Sequence, residues 1–345
     1  MMSNKPSILM IYTGGTIGMV QNPTTGALEP FKFEQLMENL PELKRFGFDI
    51  ATVQFSPPID SSDMDPSHWE LLVKIISEGY DKYDGFVILH GTDTMSYTAS
   101  ALSFMLEGLS KPVILTGSQL PIGMIRTDGK ENLITAVEIA AAKNSKGEPL
   151  VPEVCIFFEN HLIRGNRTTK VNAENFNAFR SYNYPPLATA GVSIRYNEQH
   201  IHHNGGSRLT PHFCMDSNVT ALQIFPGITE QVVATVLSTS NLKGLVLKTF
   251  GSGNAPRKEW LRQLLKQATG RGIVVVNISQ CLAGSVNMQR YETGQQLIAA
   301  GVLSGYDCTA EAALTKLMFL FGKGLSAEEV KAQMVKSLCG EITVA

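Results

Sequence analysis

The sequence predicts an α/β fold: a larger N-terminal domain on a doubly wound sheet, then a smaller C-terminal domain on a parallel sheet. Three observations carry this expectation. Short runs rich in Val, Ile, Leu and Phe, bounded by turn residues, recur along the chain. Helical patterns lie between several of them. A length of 345 residues is more than one hydrophobic core ordinarily organises.

In chain order, SILMIY (7–12), TVQF (52–55), GFVILH (85–90), PVILTG (112–117) and EVCIFF (153–158) read as buried parallel strands. Asp65-Pro66 opens a helix, with Asp as N-cap and Pro at the first helical position. A second helix runs from about Thr94 to Leu106, and a third starts at Asp128 with Glu131 at capping-box spacing. From 196 to 219 the chain turns polar and loses periodicity, with Gly-Gly and Pro interruptions. That stretch is expected to be a linker with a little strand in it, joining a domain over 1–195 to one over 220–345. Beyond it, ALQIF (221–225), GLVLKTF (244–250) and GIVVVNIS (272–279) are expected as parallel strands with helices between. Ser326 and Glu329 form a capping box at the head of a last helix.

Composition narrows the function. Hydrophobic residues make up 43% and charged residues 17%, with a net charge of −2. No basic footprint marks a nucleic-acid partner, and no polybasic patch marks a membrane surface. The N-terminal apolar run, Ile8 to Tyr12, is too short for a secretory leader. No run of about 18 apolar residues predicts a membrane span. The five cysteines are odd in number and form no Cys-x-x-Cys, which fits a reducing cytoplasmic compartment.

In open parallel sheets ligands sit beyond the carboxyl ends of the strands. The segments there are Thr13-Gly14-Gly15-Thr16, Asp60-Ser61-Ser62-Asp63, Gly91-Thr92-Asp93-Thr94, Gly117-Ser118-Gln119, the run from Asn160 to Lys170, and Gly251-Ser252-Gly253-Asn254. They hold little His and no Cys close to the strand ends, so neither a metal site nor a Ser-His-Asp triad is expected. What remains is a hydroxyl nucleophile, carboxylates able to hold an ammonium, and a lysine that serves as a base once burial favours its neutral form. TGGT does not read as a phosphate cradle. Residues 14–18 are GGTIG rather than G-x-G-x-x-G, and no Walker A motif occurs. On TGGT alone two readings stay open: a tight turn whose threonines bond its own backbone, or part of a reactive site.

TGGTIG near the N-terminus followed by HGTDTM at 90–95 resembles the bacterial asparaginase family, which often also covers glutaminases. DSSDM (60–64), LTGSQLP (115–121), RGNRTTK (164–170), GSGNAP (251–256) and GIVVVNISQC (272–281) extend the resemblance across the chain, toward the cytoplasmic, type I branch. The resemblance implies hydrolysis of L-asparagine to L-aspartate and ammonia, with no metal or cofactor. It implies two α/β domains and a homo-oligomer, a dimer or a dimer of dimers, with active sites between subunits. Motif by motif, Thr16 corresponds to the nucleophile. Thr92, Asp93 and Lys170 correspond to the second threonine, its aspartate and the lysine. Asp60, Ser61 and Ser62 match the segment that holds the α-amino and α-carboxylate groups. Ser118 and Gln119 match a pocket-lining loop, and Asn254 a residue reaching a neighbouring subunit's site. Attack by Thr16 through an acyl-enzyme and attack by water assisted by both threonines are both compatible with these residues.

Two departures stand out. Several relatives carry a tyrosine on the lid after TGGT, but the matching position here is Ala27, in a segment whose Asn22-Pro23 and Gly26 are hinge material. Tyr291 is the candidate substitute, weighed against a plain surface tyrosine. Some type I enzymes are activated by asparagine at a second site, near an arginine that corresponds to Lys248; Thr169 and Cys281 match other residues of that site. Lysine keeps the charge and loses the bidentate fork, so weak or absent activation is expected. His90 reads as a structural residue at a strand end, and His200, His202 and His203 as part of a solvated linker rather than a metal site. Arg126 and Asp128, after the GSQLP loop, read by default as an ion pair or helix cap, and more sharply as a dimer contact. The rival functions are a broader asparaginase-glutaminase, an amidotransferase-type asparaginase subunit, and a non-catalytic amino-acid sensor. An amidotransferase subunit is expected to carry an extra domain before TGGT, whereas twelve residues precede Thr13 here.

Overall fold

A computed structural model describes residues 5–21, 28–30, 40–203 and 208–344, with side chains excepted at 20–21 and 28–30. Its contacts divide the chain into two units. The first runs to Ser181 and resumes over Pro185–Phe213; the second comprises Tyr182–Tyr184 and the chain from Cys214 onward.

The first unit is built on one eight-stranded sheet. Its parallel part contains β1 (Ser7–Gly14), β2 (Asp49–Ile59), β3 (Gly85–Leu89), β4 (Val113–Thr116) and β5 (Val154–Phe158), in the order β2-β1-β3-β4-β5. Beyond β5 the sheet continues antiparallel through β6 (His161–Arg164), β7 (Ala188–Ala190) and β8 (Ile194–Tyr196). The sheet is therefore mixed. The reading of Asn160 to Lys170 as one strand-end segment is corrected here, because HLIR turns straight back on β5 as a hairpin. Four residues flanked by His and Arg are too few for period-2 alternation to declare itself. β3, β4 and β5 are buried along their whole length, as expected for strands covered on both faces.

Among the described residues three helices accompany the sheet: α1 (Pro66–Gly79), α2 (Met95–Met105) and α3 (Gly129–Ala141). The Asp65 carboxylate accepts from the amides of Ser67 and His68, while the His68 ring accepts from the Asp65 amide, so the N-terminus of α1 is closed from both sides. Trp69, Leu72, Val73 and Ile76 follow at i, i+3, i+4, i+7 spacing and are all buried. Each fully buried aliphatic side chain of this kind contributes roughly 1.5–3 kcal/mol relative to exposure. α3 does start after Asp128, but no side-chain cap bond forms there. The expected cap is corrected: the Asp128 carboxylate turns to the Gln119 and Leu120 amides instead.

The polar stretch around 200 is tied to the sheet by a buried ion pair. Arg164 and Glu153 meet at 2.6 and 3.0 Å, and the same pair bonds the His200 carbonyl and the His202 amide. Farther on, Thr210–Pro211 pairs antiparallel with Leu106–Glu107.

The second unit holds an all-parallel sheet of β9 (Val219–Gln223), β10 (Gly244–Thr249), β11 (Val274–Ser279) and β12 (Leu303–Ser304). Helices α4 (Glu230–Leu237), α5 (Glu259–Gly270), α6 (Glu292–Ala299), α7 (Ala310–Gly322) and α8 (Ala327–Met334) complete it. Leu222, Leu245, Leu247, Val275, Leu261 and Leu265 are among its core. The capping box at Ser326 forms as expected, with Glu329 at its third position. A buried ion pair closes the C-terminal end, with Lys316 Nζ 2.6 Å from Glu341 Oε1. Burial works against the Glu341 charge, but Lys316 and the amides of Cys339 and Leu338 together hold its carboxyl below the usual range.

Candidate active site

The order β2-β1-β3 reverses direction at β1, so β2 lies on one side of β1 and every later parallel strand on the other. A crevice opens beyond the carboxyl ends at such a switch point. β1 and β3 pair as far as Tyr12 and Leu89, so TGGT and HGTD leave the sheet side by side. The Thr13 hydroxyl donates to the Leu89 carbonyl at 3.0 Å and fastens the two exits together. Between β1 and β2 the register shifts: Tyr12 opposes Gln54 but Gly14 opposes Ile59. That bulge carries Asp60-Ser61-Ser62 to the same end.

The glycines explain how three loops converge. A Cβ on Gly14, whose φ is +134°, would collide with the Ile59 carbonyl oxygen. A Cβ on Gly15, at φ +92°, would lie 2.5 Å from the backbone of Gly91, and one on Gly91 would lie 2.5 Å from Ser61 Oγ. TGGT is thus locked backbone to backbone against Ile59 and Gly91, and Gly91 against the Ser61 side chain, which only residues without a Cβ permit. The Thr13 hydroxyl bonds the Leu89 carbonyl and not the backbone of its own turn.

Thr16 starts a short 3-10 turn, Thr16–Gly18, and is partly exposed; among the described residues none hydrogen-bonds its hydroxyl. Behind the turn the buried Tyr12 hydroxyl donates to the Gly18 carbonyl at 3.1 Å. Burial pushes the Tyr12 phenol up to about 12. This strut was not foreseen, since a tyrosine at the end of an apolar strand looks like core.

Beyond β3, Lys170 Nζ donates to Thr92 Oγ1 at 2.8 Å and to Asp93 Oδ1 at 2.6 Å. Lys170 arrives from a pressed-in segment. Gly165 sits against Ala99 of α2, residues Asn166 to Thr168 are buried, and the Thr168 hydroxyl donates to the Arg164 carbonyl. Thr92 Oγ1 donates in turn to Gln119 Oε1 at 3.3 Å, and Gln119 Nε2 donates to the Asn175 carbonyl at 3.1 Å. Asp60 Oδ1 accepts from the Ser62 amide and hydroxyl at 2.8 and 2.9 Å, which shapes the turn. Ser61 is buried and its carbonyl accepts from Thr94 Oγ1, while the buried Ser118 hydroxyl donates to the Leu120 carbonyl.

His90 is buried, with Nδ1 2.6 Å from the Gly91 carbonyl and Nε2 2.9 Å from Thr98 Oγ1. A carbonyl only accepts, so Nδ1 carries the proton. Thr98 then donates to Nε2 while accepting from Trp69 Nε1. Burial pulls the His90 pKa down to about 4, leaving a neutral ring that braces the Gly91 carbonyl.

In the second unit, Phe250 and Asn254 close a tight turn. Asn254 Oδ1 accepts from Thr293 Oγ1 at 3.0 Å, in the first turn of α6. Tyr291 caps that helix without a side-chain bond, is 44% exposed, and has the Arg290 guanidinium 5.4 Å from its ring. Lys248 and Cys281 lie toward one end of β10 and β11, where Gln280 Nε2 bonds the Lys248 and Ile224 carbonyls. The fully buried Asn277, not foreseen from sequence, accepts from Thr249 and donates to the Gly253 carbonyl. Thr169 belongs to the first unit, on a ribbon pairing with Arg180. Asn22, Pro23, Gly26 and Ala27 lie outside the described residues. Among the described residues there is no metal-ligating cluster of three or more His, Cys, Asp or Glu, and no helix long and apolar enough to cross a membrane.

Residues 7–202 match the family described as "Asparaginase, N-terminal", and residues 218–334 match "Glutaminase/Asparaginase C-terminal domain". The chain is 45% identical to L-asparaginase 1 of Escherichia coli K12, over 98% of each sequence. It is 44% identical to the human 60 kDa lysophospholipase, covering 97% of this chain and 61% of that protein. The crystal structure of L-asparaginase I from Vibrio cholerae superposes with a TM-score of 0.90 at 43% identity, covering 99% of this chain and all of that one.

Proposed function

The chain belongs to the asparaginase family, and from that premise we propose that it is a cytoplasmic enzyme that hydrolyses the side-chain amide of L-asparagine to L-aspartate and ammonia. One observation carries the reading: the Lys170-Thr92-Asp93 cluster stands at the strand-order reversal, beside the turn that presents Thr16.

Thr16 is the nucleophile, or the group that receives the reacting amide when water attacks. A threonine hydroxyl needs a base within hydrogen-bond reach, and Thr92 backed by Lys170 supplies one. Asp93 and Asp60 hold the substrate's ammonium, and Ser61 and Ser62 its α-carboxylate. The incoming ammonium competes with Lys170 for Asp93 and leaves the lysine side chain facing Thr92. In its unprotonated form the lysine takes the Thr92 proton, which turns from Gln119 Oε1 to Lys170 Nζ. Backbone N–H groups of the Gly14-Gly15 turn face the amide oxygen as its negative charge develops. Fixing both ends of the zwitterion aligns the side-chain amide with the threonines, and an amide lacking those ends leaves the polar groups unpaired. The chemistry calls for neither metal nor cofactor.

Asn254 reaches the site of a second subunit, in a dimer or a dimer of dimers. Tyr291, exposed beside the turn that Asn254 closes, is the candidate for the hydroxyl missing at position 27. Lys248, Thr169 and Cys281 each match a residue of the effector site of some relatives, and lysine in place of arginine weakens activation.

Ammonia release measured with asparagine and with glutamine over a concentration range tests the proposal. Turnover of asparagine with a higher kcat/KM than glutamine is expected. Release from neither amide overturns it, and a higher kcat/KM for glutamine replaces it with a glutaminase. One methylene in the pocket is worth about 1–3 kcal/mol, so discrimination of roughly 10- to 200-fold is expected.

A further inference from the structure

Asp128 is a half-buried carboxylate with an unusual set of partners. Oδ1 accepts from the Gln119 amide at 3.1 Å and the Leu120 amide at 3.2 Å. Oδ2 accepts from the Gln119 amide at 3.0 Å and from Asn132 Nδ2 at 3.3 Å. Among the described residues no cation pairs with it, and it makes no cap bond to α3, although it stands at that helix's head. Burial pushes its pKa up, and the bonds from Gln119, Leu120 and Asn132 pull it back. A carboxylate withdrawn from water without a counter-ion is costly, whereas serine or asparagine would cap the helix as well. The carboxylate's distinctive work is on the loop over 117–120.

That loop is gripped from several directions. Asn132 Nδ2 also bonds the Gly117 carbonyl, and its Oδ1 accepts from the Glu159 amide just past β5. Thr127 Oγ1 donates to the Leu120 carbonyl and accepts from the Gly129 amide. With the Gln119 backbone held, its side chain has a fixed direction. Nε2 must donate to the Asn175 carbonyl, so Oε1 faces Thr92. The Thr92 oxygen already accepts from the Lys170 ammonium, so its own proton points at Gln119. One rotamer of the Thr92 hydroxyl is thereby selected.

We propose that Asp128 is a positioning residue of the amide hydrolysis, acting through Gln119 to hold the Thr92 side chain with its oxygen against Lys170 Nζ. This rests on the function proposed above. The relay runs from carboxylate to loop amides, to the Gln119 side chain, to Thr92, with no contact between Asp128 and the reacting atoms.

A double-mutant cycle tests it, using wild type, Gln119→Ala, Asp128→Asn and the double variant with asparagine as substrate. Each single variant is expected to lose about tenfold in kcat with KM changed by less than about threefold. The double variant is expected to be no slower than the slower single, because both act on one group. Losses that multiply in the double variant, a loss confined to KM, or wild-type kcat in Asp128→Asn overturns the proposal. Hydrogen exchange of the Gln119 and Leu120 amides gives a readout independent of catalysis. They are expected to be protected in the wild type and fast in Asp128→Asn, and equal protection in both overturns the relay at its first step. A wild-type chain that releases no ammonia overturns the proposed function instead; the exchange result still decides whether Asp128 anchors the loop.

Discussion

The Lys170 ammonium lies 2.8 Å from the Thr92 hydroxyl oxygen, across 78 residues of chain. Replacing Lys170 with Met keeps the length of the side chain and removes the base. General-base assistance contributes about 10²–10⁴-fold, so kcat in Lys170→Met is expected to fall by at least about a hundredfold, read as ammonia release. Activity within a few-fold of wild type would remove the lysine from the mechanism.

Gly15 to Ala tests the interlock of the loops. A Cβ there meets the Gly91 backbone at 2.5 Å, and the φ of +92° is strained for alanine. A cost of about 1–3 kcal/mol from the backbone alone is expected. Thermal unfolding should register a lower midpoint and the assay a large loss of kcat; an alanine variant equal to wild type in both contradicts the geometry.

His90 sets a pH slope on stability. Its pKa is lowered to about 4 in the folded chain against about 6.5 when unfolded, because burial disfavours the imidazolium. Between those values the unfolded chain binds the proton more readily, so stability is full above pH 6.5 and falls as the pH drops toward 4. The whole difference is about 3 kcal/mol. Denaturant melts at pH 7 and pH 5 should show a smaller pH effect in His90→Gln than in wild type; identical slopes would refute the assignment.

Lys316 to Met leaves the Glu341 carboxylate buried without its cation. Breaking a buried pair on one side costs about 3–5 kcal/mol, which urea unfolding would measure. The Lys316→Met, Glu341→Leu pair of changes should recover most of that loss. Glu341 is held below its usual pKa, so the stability it confers is present at neutral pH and is lost as the pH falls through its folded value.

Lys248 bears on regulation. An ammonium cannot grip a carboxylate with two parallel bonds as a guanidinium does. The rate is therefore expected to rise hyperbolically with asparagine. A sigmoidal curve with a Hill coefficient well above one would show that the effector site works with lysine.

Most parallel strands and the helix starts at Asp65, Thr94, Asp128 and Ser326 were legible because they rest on local rules: apolar runs, an Asp-Pro N-cap and a Ser-x-x-Glu box. β6 escaped because HLIR has no length over which alternation can speak. Asp128 was read as a cap because Asp before Gly-Lys-Glu has that local signature, but the amides of Gln119 and Leu120, nine and eight residues back, compete for its carboxylate and win. The residues of the candidate site were named through motifs. Their supports were not: the Tyr12 hydroxyl and the buried Asn277 act through three-dimensional neighbours that spacing does not reveal.

The bonds that assemble the cluster are all long in sequence: 76 residues separate Thr13 from Leu89, 77 separate Asp93 from Lys170, and 78 separate Thr92 from Lys170. Loop closure over such distances must precede any catalysis. During synthesis the site cannot exist until the hairpin after β5 has left the ribosome. During refolding, returning activity would report the completion of the whole first sheet and lag behind the recovery of helix, making turnover a clock for long-range assembly.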